Sequence, residues 1–158
     1  MAYKYVDLFC GAGGLSLGFE QAGFDNVFSV ELNADFAKTY KRNFSDHKLV
    51  IEDIRNIDND EISRLTGGQE VDVIIGGPPC QGFSIAGNIG RTFMEDERNG
   101  LFKEFVRFVA WVKPKMFVME NVATMATHLR GQTIREVIKA FENAGCGYKV
   151  KYEVLNSV

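Results

Sequence analysis

The chain has 158 residues, 46% hydrophobic and 25% charged, with a formal net charge of −3. That is the size and balance of one folded domain with a true core, which excludes a disordered chain, and no apolar run approaches the ~18 residues of a membrane span. The acidic balance excludes a global field that would draw in nucleic acid, so any such contact needs a local patch or a region outside these residues.

Cys10, Cys80 and Cys146 are odd in number, far apart and never in a CxxC pair. They exclude a disulfide framework and a sequence-evident zinc site, and they fit a reducing cytosol. The chain opens without a signal-peptide pattern, so a cytoplasmic protein is expected.

Short apolar runs alternate with helical stretches. The strand-like runs are Tyr5–Cys10, Val27–Glu31, Lys48–Ile51, Val71–Ile75, Met116–Met119 and Tyr148–Leu155. A helix is predicted from about Leu15 to Ala22, stopping at Gly23. A second opens after Asn33, a suitable N-cap, with Phe36, Tyr40 and Phe44 on one face. Asp58–Leu65 reads as a short helix. Another runs from Asn99 to Val112 and ends before Pro114. The last carries Ile134, Val137, Ile138 and Phe141 on one face and stops near Gly145. Alternation of this kind, with nearly all-apolar strands, predicts an α/β fold: a doubly wound, mostly parallel sheet covered on both faces. In such sheets ligands sit beyond the carboxyl ends of the strands.

The unusual residues lie at those ends. After the first strand comes Phe9-Cys10-Gly11-Ala12-Gly13-Gly14, and Glu31 follows Gly11 by 20 residues at the end of the second. Glycines admit a ligand to the backbone, and an acid at that spacing can hold ribose hydroxyls. Asp53, after the third strand, can accept from an adenine amino group, though it reads equally well as a solvated acid. Ser16 stands where a dinucleotide-binding turn wants its third glycine. After the fourth strand, Pro78 and Pro79 stiffen the backbone just before Cys80, where an accessible thiolate could act as nucleophile. The long Gly82–Gly100 loop could close over a substrate. Glu120, Asn121 and Val122 follow the fifth strand. An acid in a largely apolar pocket there would suit proton donation. Cys10 reads as a small buried residue and Cys146 carries no signal. His47 and His128 are expected at exposed loop or helix ends, and Trp111 in the core.

Taken in order, DLFCGAGGLSLGFEQAG, VELN, EDI, GGPPCQGFS, DERNGLFKEF and MENV resemble the catalytic domain of bacterial cytosine-5 DNA methyltransferases. The resemblance covers nearly the whole chain and implies a Rossmann-like, S-adenosylmethionine-dependent methyltransferase fold without its last strand. It implies a restriction–modification enzyme that methylates carbon 5 of a flipped cytosine in double-stranded DNA. It gives Phe9, Gly11 and Gly13 to the S-adenosylmethionine loop and Glu31 to the ribose. Leu32, Asp53, Ile54, Pro79 and Leu101 go to the adenine pocket. Cys80 becomes the nucleophile, Glu120 the cytosine-recognising acid and Asn121 a brace for the Pro-Cys turn. No metal is expected.

The resemblance also implies that residues 1–158 are the N-terminal part of a catalytic domain. A target-recognition region and a C-terminal segment completing the cofactor pocket would lie elsewhere, and a complementing second half is a possible partner. The isolated stretch is therefore expected to transfer little or no methyl. Three rival readings stay open: a nicotinamide-dependent oxidoreductase, a non-catalytic cofactor-binding fragment, and an RNA-directed cytosine methyltransferase.

Overall fold

A computed structural model describes residues 2–79 and 100–156. Five strands form one sheet: β1 (Lys4–Leu8), β2 (Asp25–Glu31), β3 (Leu49–Ile51), β4 (Val73–Gly76) and β5 (Met116–Met119). Their order is β3-β2-β1-β4-β5, and all four neighbouring pairs run parallel. Every carboxyl end therefore opens on the same edge of the sheet. The helices are α1 (Gly14–Gln21), α2 (Ala34–Asn43), α3 (Asn59–Thr66), α4 (Gly100–Val112), α5 (Thr124–Thr127) and α6 (Gln132–Glu142). The expected α/β class and helix order hold.

Local chemistry explains the boundaries. The Asn33 side chain accepts from the Asp35 and Phe36 amides and starts α2. Asp58 accepts from the Glu61 amide and starts α3, which Gly67 closes in a left-handed conformation. Alternation along β1 divides the interior. Val6 and Leu8 join Phe28, Ile74, Phe102, Phe105, Phe108 and Phe141 in the larger core. Tyr5 points the other way, with Val73 and Ile75, against Leu15 and Phe19 of α1. At the amino edge, Asp72 accepts from the Lys4 amide and from Lys115 Nζ, tying β1, β4 and β5 together.

Three expectations need correction. Tyr148–Leu155 is not a strand. Tyr148 donates its hydroxyl to the Pro114 carbonyl, packs edge-on against Phe117 and gives its amide to Phe141. Beyond it Tyr152, Val154 and Leu155 are exposed. Apolar alternation makes a strand only where a ladder partner is in register, and this segment spends its first amide on the end of α6. Trp111 is 47% exposed rather than core, its indole N–H donating to Ser63 Oγ. On α2 only Tyr40 and Phe44 of the expected apolar face are buried, and Phe36 is exposed.

Gly13 shows how tightly the first turn is built. Its φ is +96°, and a Cβ there would lie 2.2 Å from Phe44 Cε2. Gly13→Ala is expected to lower stability by about 1–3 kcal/mol, through overpacking and a backbone conformation that alanine resists. Urea unfolding beside Gly14→Ala, whose Cβ would meet nothing within 4 Å, checks this. Equal midpoints for the two variants would refute it.

Candidate active site

The loop between β1 and α1 begins with strain. Phe9 has a φ of +60°, a conformation that is costly for a bulky residue and that concentrates at functional sites. Its ring packs, partly buried, against the larger core. Cys10 donates its amide to the Val30 carbonyl and is buried. Burial pushes its thiol up, so it is no ready nucleophile. Asn43 of α2 donates its side-chain amide to the Ala12 carbonyl at 2.9 Å, holding the loop from outside.

Glu31 is the fixed point. Its Oε2 accepts from the Gly11 amide at 2.9 Å and its Oε1 from the Asn33 amide at 2.7 Å. The residue is 9% exposed. Two amides orient the carboxylate and leave each oxygen a further lone pair. The Glu52 amide bonds the Glu31 carbonyl, bringing the β3 end alongside. Leu32 and Ile51 stand 60% and 55% exposed beside the acid. An oriented carboxylate, an open backbone at Gly11 and exposed apolar side chains form a set suited to a nucleoside.

Asp53 is less free than the sequence suggests. Its carboxylate starts a 3₁₀ turn (Ile54–Asn56) by accepting from the Arg55 amide, and the Arg55 guanidinium grips both oxygens. That side-chain contact, with the backbone bond, holds Asp53 below the usual carboxylate range. An adenine amino group would share this acceptor with Arg55. Ile54 is buried beneath it.

On the other side of β1, β4 runs into Gly76-Gly77-Pro78-Pro79. A Cβ on Gly77 would lie 2.9 Å from Glu120 Oε2, so glycine there lets the acid lie against the turn. The Glu120 amide donates to the Gly76 carbonyl, and Asn121 Nδ2 donates to the Pro78 carbonyl at 2.9 Å. Asn121 thus bonds the backbone two residues before Cys80. Glu120 itself is exposed, not enclosed in an apolar pocket as expected, because a residue one step past an edge strand is covered on one side only. Pro79 is exposed, and Leu101, in the first turn of α4, packs against the larger core. Cys80 and the Gly82–Gly100 loop, except Gly100, lie outside the described residues.

Some residues at the site gave little warning in the sequence. Asp7 is fully buried beneath the loop and accepts from Ser16 Oγ at 2.7 Å. Its signal was a lone charge within an apolar strand. His47, expected exposed, joins the same network: its ring nitrogens bond Tyr40 and Glu20, and its side chain is 11% exposed. His128 bonds Thr133 and is half-buried.

Comparison with known proteins decides the family. The family profile of C-5 cytosine-specific DNA methylases matches residues 3–158. The chain belongs to this family. It is 53% identical over 157 residues to the Type II methyltransferase M1.HphI of Haemophilus parahaemolyticus, covering 99% of this chain and 42% of that protein. It is 44% identical to the Type II methyltransferase M.XorII of Xanthomonas oryzae pv. oryzae, covering 96% and 36%. Among solved structures, an E. coli prophage-encoded chain provisionally described as a DNA modification methyltransferase superposes with a TM-score of 0.73 at 34% identity. That match covers 88% of this chain and 37% of the other. The chain thus spans less than half the length of these relatives.

Proposed function

We propose that this chain carries the cofactor-binding and catalytic part of an enzyme that methylates carbon 5 of cytosine in double-stranded DNA. The observation that carries the reading is the shared carboxyl edge. Glu31, fixed by the Gly11 and Asn33 amides, stands at one strand end. Across β1, Glu120 lies against Gly77, and Asn121 holds the carbonyl of Pro78, two residues before Cys80. S-adenosylmethionine, when bound, supplies a methyl group made electrophilic by its sulfonium.

The rest falls to this chain. Gly11 and Gly13 would admit the cofactor, and the Phe9 ring would offer a π face to its positive sulfur. Glu31 would hold the ribose, while Leu32, Asp53, Ile54, Pro79 and Leu101 would receive the adenine. Cytosine C5 is too weak a nucleophile unaided. The Cys80 thiolate adds to C6 and makes the ring an enamine, while Glu120 gives a proton to N3 so that no negative charge builds there. Carbon 5 then takes the methyl. Loss of the C5 proton to water expels Cys80 as the thiolate, and return of the N3 proton to Glu120 restores the neutral ring and the acid. Glu120 can reach N3 only if the base leaves the helix, so the nucleotide is flipped. DNA contacts and the completing segment come from residues beyond this stretch, in one polypeptide or two. Among the described residues no helix is long and apolar enough to cross a membrane, and no cluster of candidate metal ligands occurs.

The test is covalent trapping. DNA carrying 5-fluorocytosine, incubated with the full-length protein and S-adenosylmethionine, is expected to form an adduct that survives denaturation, because fluorine at C5 cannot leave as a proton. Cys80→Ser is expected to form none. Trapping of a fluorinated RNA instead would move the substrate to RNA, and no adduct with either would refute the mechanism.

A further inference from the structure

Arg107 sits on the polar edge of α4, between the buried Phe105 and Phe108. A charge on an amphipathic helix ordinarily faces water, but this side chain is only 28% exposed. Its guanidinium reaches the connection between β3 and α3. Nη2 donates to the Ile57 carbonyl at 2.7 Å and to the Ile54 carbonyl at 3.2 Å, and Nη1 donates to Asn59 Oδ1 at 3.0 Å. Glu104 Oε2 accepts from Nε at 2.7 Å and sets the plane of the fork. One side chain from a distant helix thus grips both ends of the turn that carries Asp53 and Ile54.

That turn has little of its own to hold it. Its internal backbone bonds run from the Asn56 amide to the Asp53 carbonyl at 2.8 Å and from the Ile57 amide to the Ile54 carbonyl at 3.3 Å. Arg55 bonds Asp53 within the same turn and cannot fix it to the rest of the fold. Ile54 and Ile57 anchor it below by burial, which is non-directional. At its entry the Glu52 amide bonds the Glu31 carbonyl, and Glu52 Oε1 accepts from the Asp53 amide and Asn56 Nδ2. At the Ile54 and Ile57 carbonyls the directional restraint from outside comes through the Arg107 fork, whose planar, multiply donating geometry a lysine cannot reproduce.

We infer that Arg107 is a positioning residue for cofactor recognition: it fixes the Asp53–Ile57 turn so that its carboxylate and backbone meet the adenine edge. This rests on the cofactor reading given above. Arg107 touches no substrate, and its effect passes through the turn.

The experiment uses the full-length protein with Arg107→Met and Arg107→Lys, the second keeping the charge beside Glu104 in case the first folds poorly. Amide hydrogen exchange without ligand is expected to accelerate at Asn56 and Ile57 in both variants while the β1 amides of Val6 and Leu8 hold. Binding of S-adenosylhomocysteine is expected to weaken about tenfold, the cost of lost charge-assisted hydrogen bonds. Discrimination against S-inosylhomocysteine, which carries an oxo group in place of the adenine amino group, is expected to shrink. The rate at saturating S-adenosylmethionine is expected to stay within about twofold, since ground-state positioning of the adenine is what changes. Unchanged exchange at the turn overturns the proposal whatever the cofactor. A loosened turn with undiminished adenosyl-over-inosyl preference also overturns it and leaves the cofactor reading standing. A wild-type protein that shows no such preference refutes the adenine reading on which the proposal rests.

Discussion

Replacing Glu120 with glutamine is expected to cut methyl transfer by about 10²–10⁴-fold, the range ascribed to a positioned general acid. Glutamine matches the shape of glutamate and keeps the backbone bond from residue 120 to the Gly76 carbonyl. It can still lie against Gly77, where the missing Cβ leaves room for a head group of the same shape. It cannot release a carboxyl proton to N3 of the base. Without that proton the adduct at C6 must carry negative charge on the ring. Glu120 is exposed, so the substitution removes no buried contact and the unfolding midpoint should hold. S-adenosylhomocysteine binding should hold as well, because Glu31 and its two amides are across β1 from the change. Steady-state transfer, ligand binding and urea unfolding on one preparation separate these effects. Activity above about a tenth of wild type would remove Glu120 from the acid role.

The sequence revealed most about features with short-range causes. The glycine turn, the Asn33 cap and the stop before Pro114 each depend on neighbours within a few residues, and each is found in the structure. The placement of candidate residues at strand ends was also legible, because a parallel sheet sends every such end to one edge. What escaped depends on partners across the fold. Tyr40 was counted as apolar, yet its hydroxyl meets Ser16, Ser29 and His47. Ser16 registered only as a missing glycine, and nothing local marked Arg107. The sixth apolar run had a strand's composition, but strand formation is settled by a partner's register rather than by composition. Glu120 was expected in an apolar pocket because its strand is apolar, but enclosure beyond a strand end depends on whichever segment folds over it.

Changing Asp7 to asparagine is expected to remove most of the fall in stability between pH 4 and pH 7. Asp7 has no exposed surface and lies on the β1 face that meets α1. Ser16 Oγ donates to its Oδ2, while Oδ1 is buried without a partner. Burial pushes the carboxyl up from its ordinary 3.8 to about 7, against the Ser16 hydrogen bonds and with help from the Glu31 charge. Of its neighbours, burial pushes Tyr5 to about 12 and raises Tyr40 and Cys10 as well, so these three do not titrate in that window. Bonds continue from Ser16 to Tyr40 at 2.9 Å, to His47 Nδ1 at 2.8 Å and to Glu20 at 2.6 Å, while Lys41 Nζ donates to the His47 carbonyl.

Below pH ~3.8 both folded and unfolded chains hold the Asp7 proton, and no slope arises. From there to pH ~7 only the folded chain holds it, so unfolding releases a proton and stability falls as pH rises, by roughly 4 kcal/mol over the window. Asparagine can still accept from Ser16 and has no proton to lose. The variant should therefore gain on the wild type by roughly 2–4 kcal/mol between pH 4 and pH 8, read by urea unfolding at each pH. Parallel stability curves would show instead that the acid ionises in the folded chain as easily as in the unfolded one.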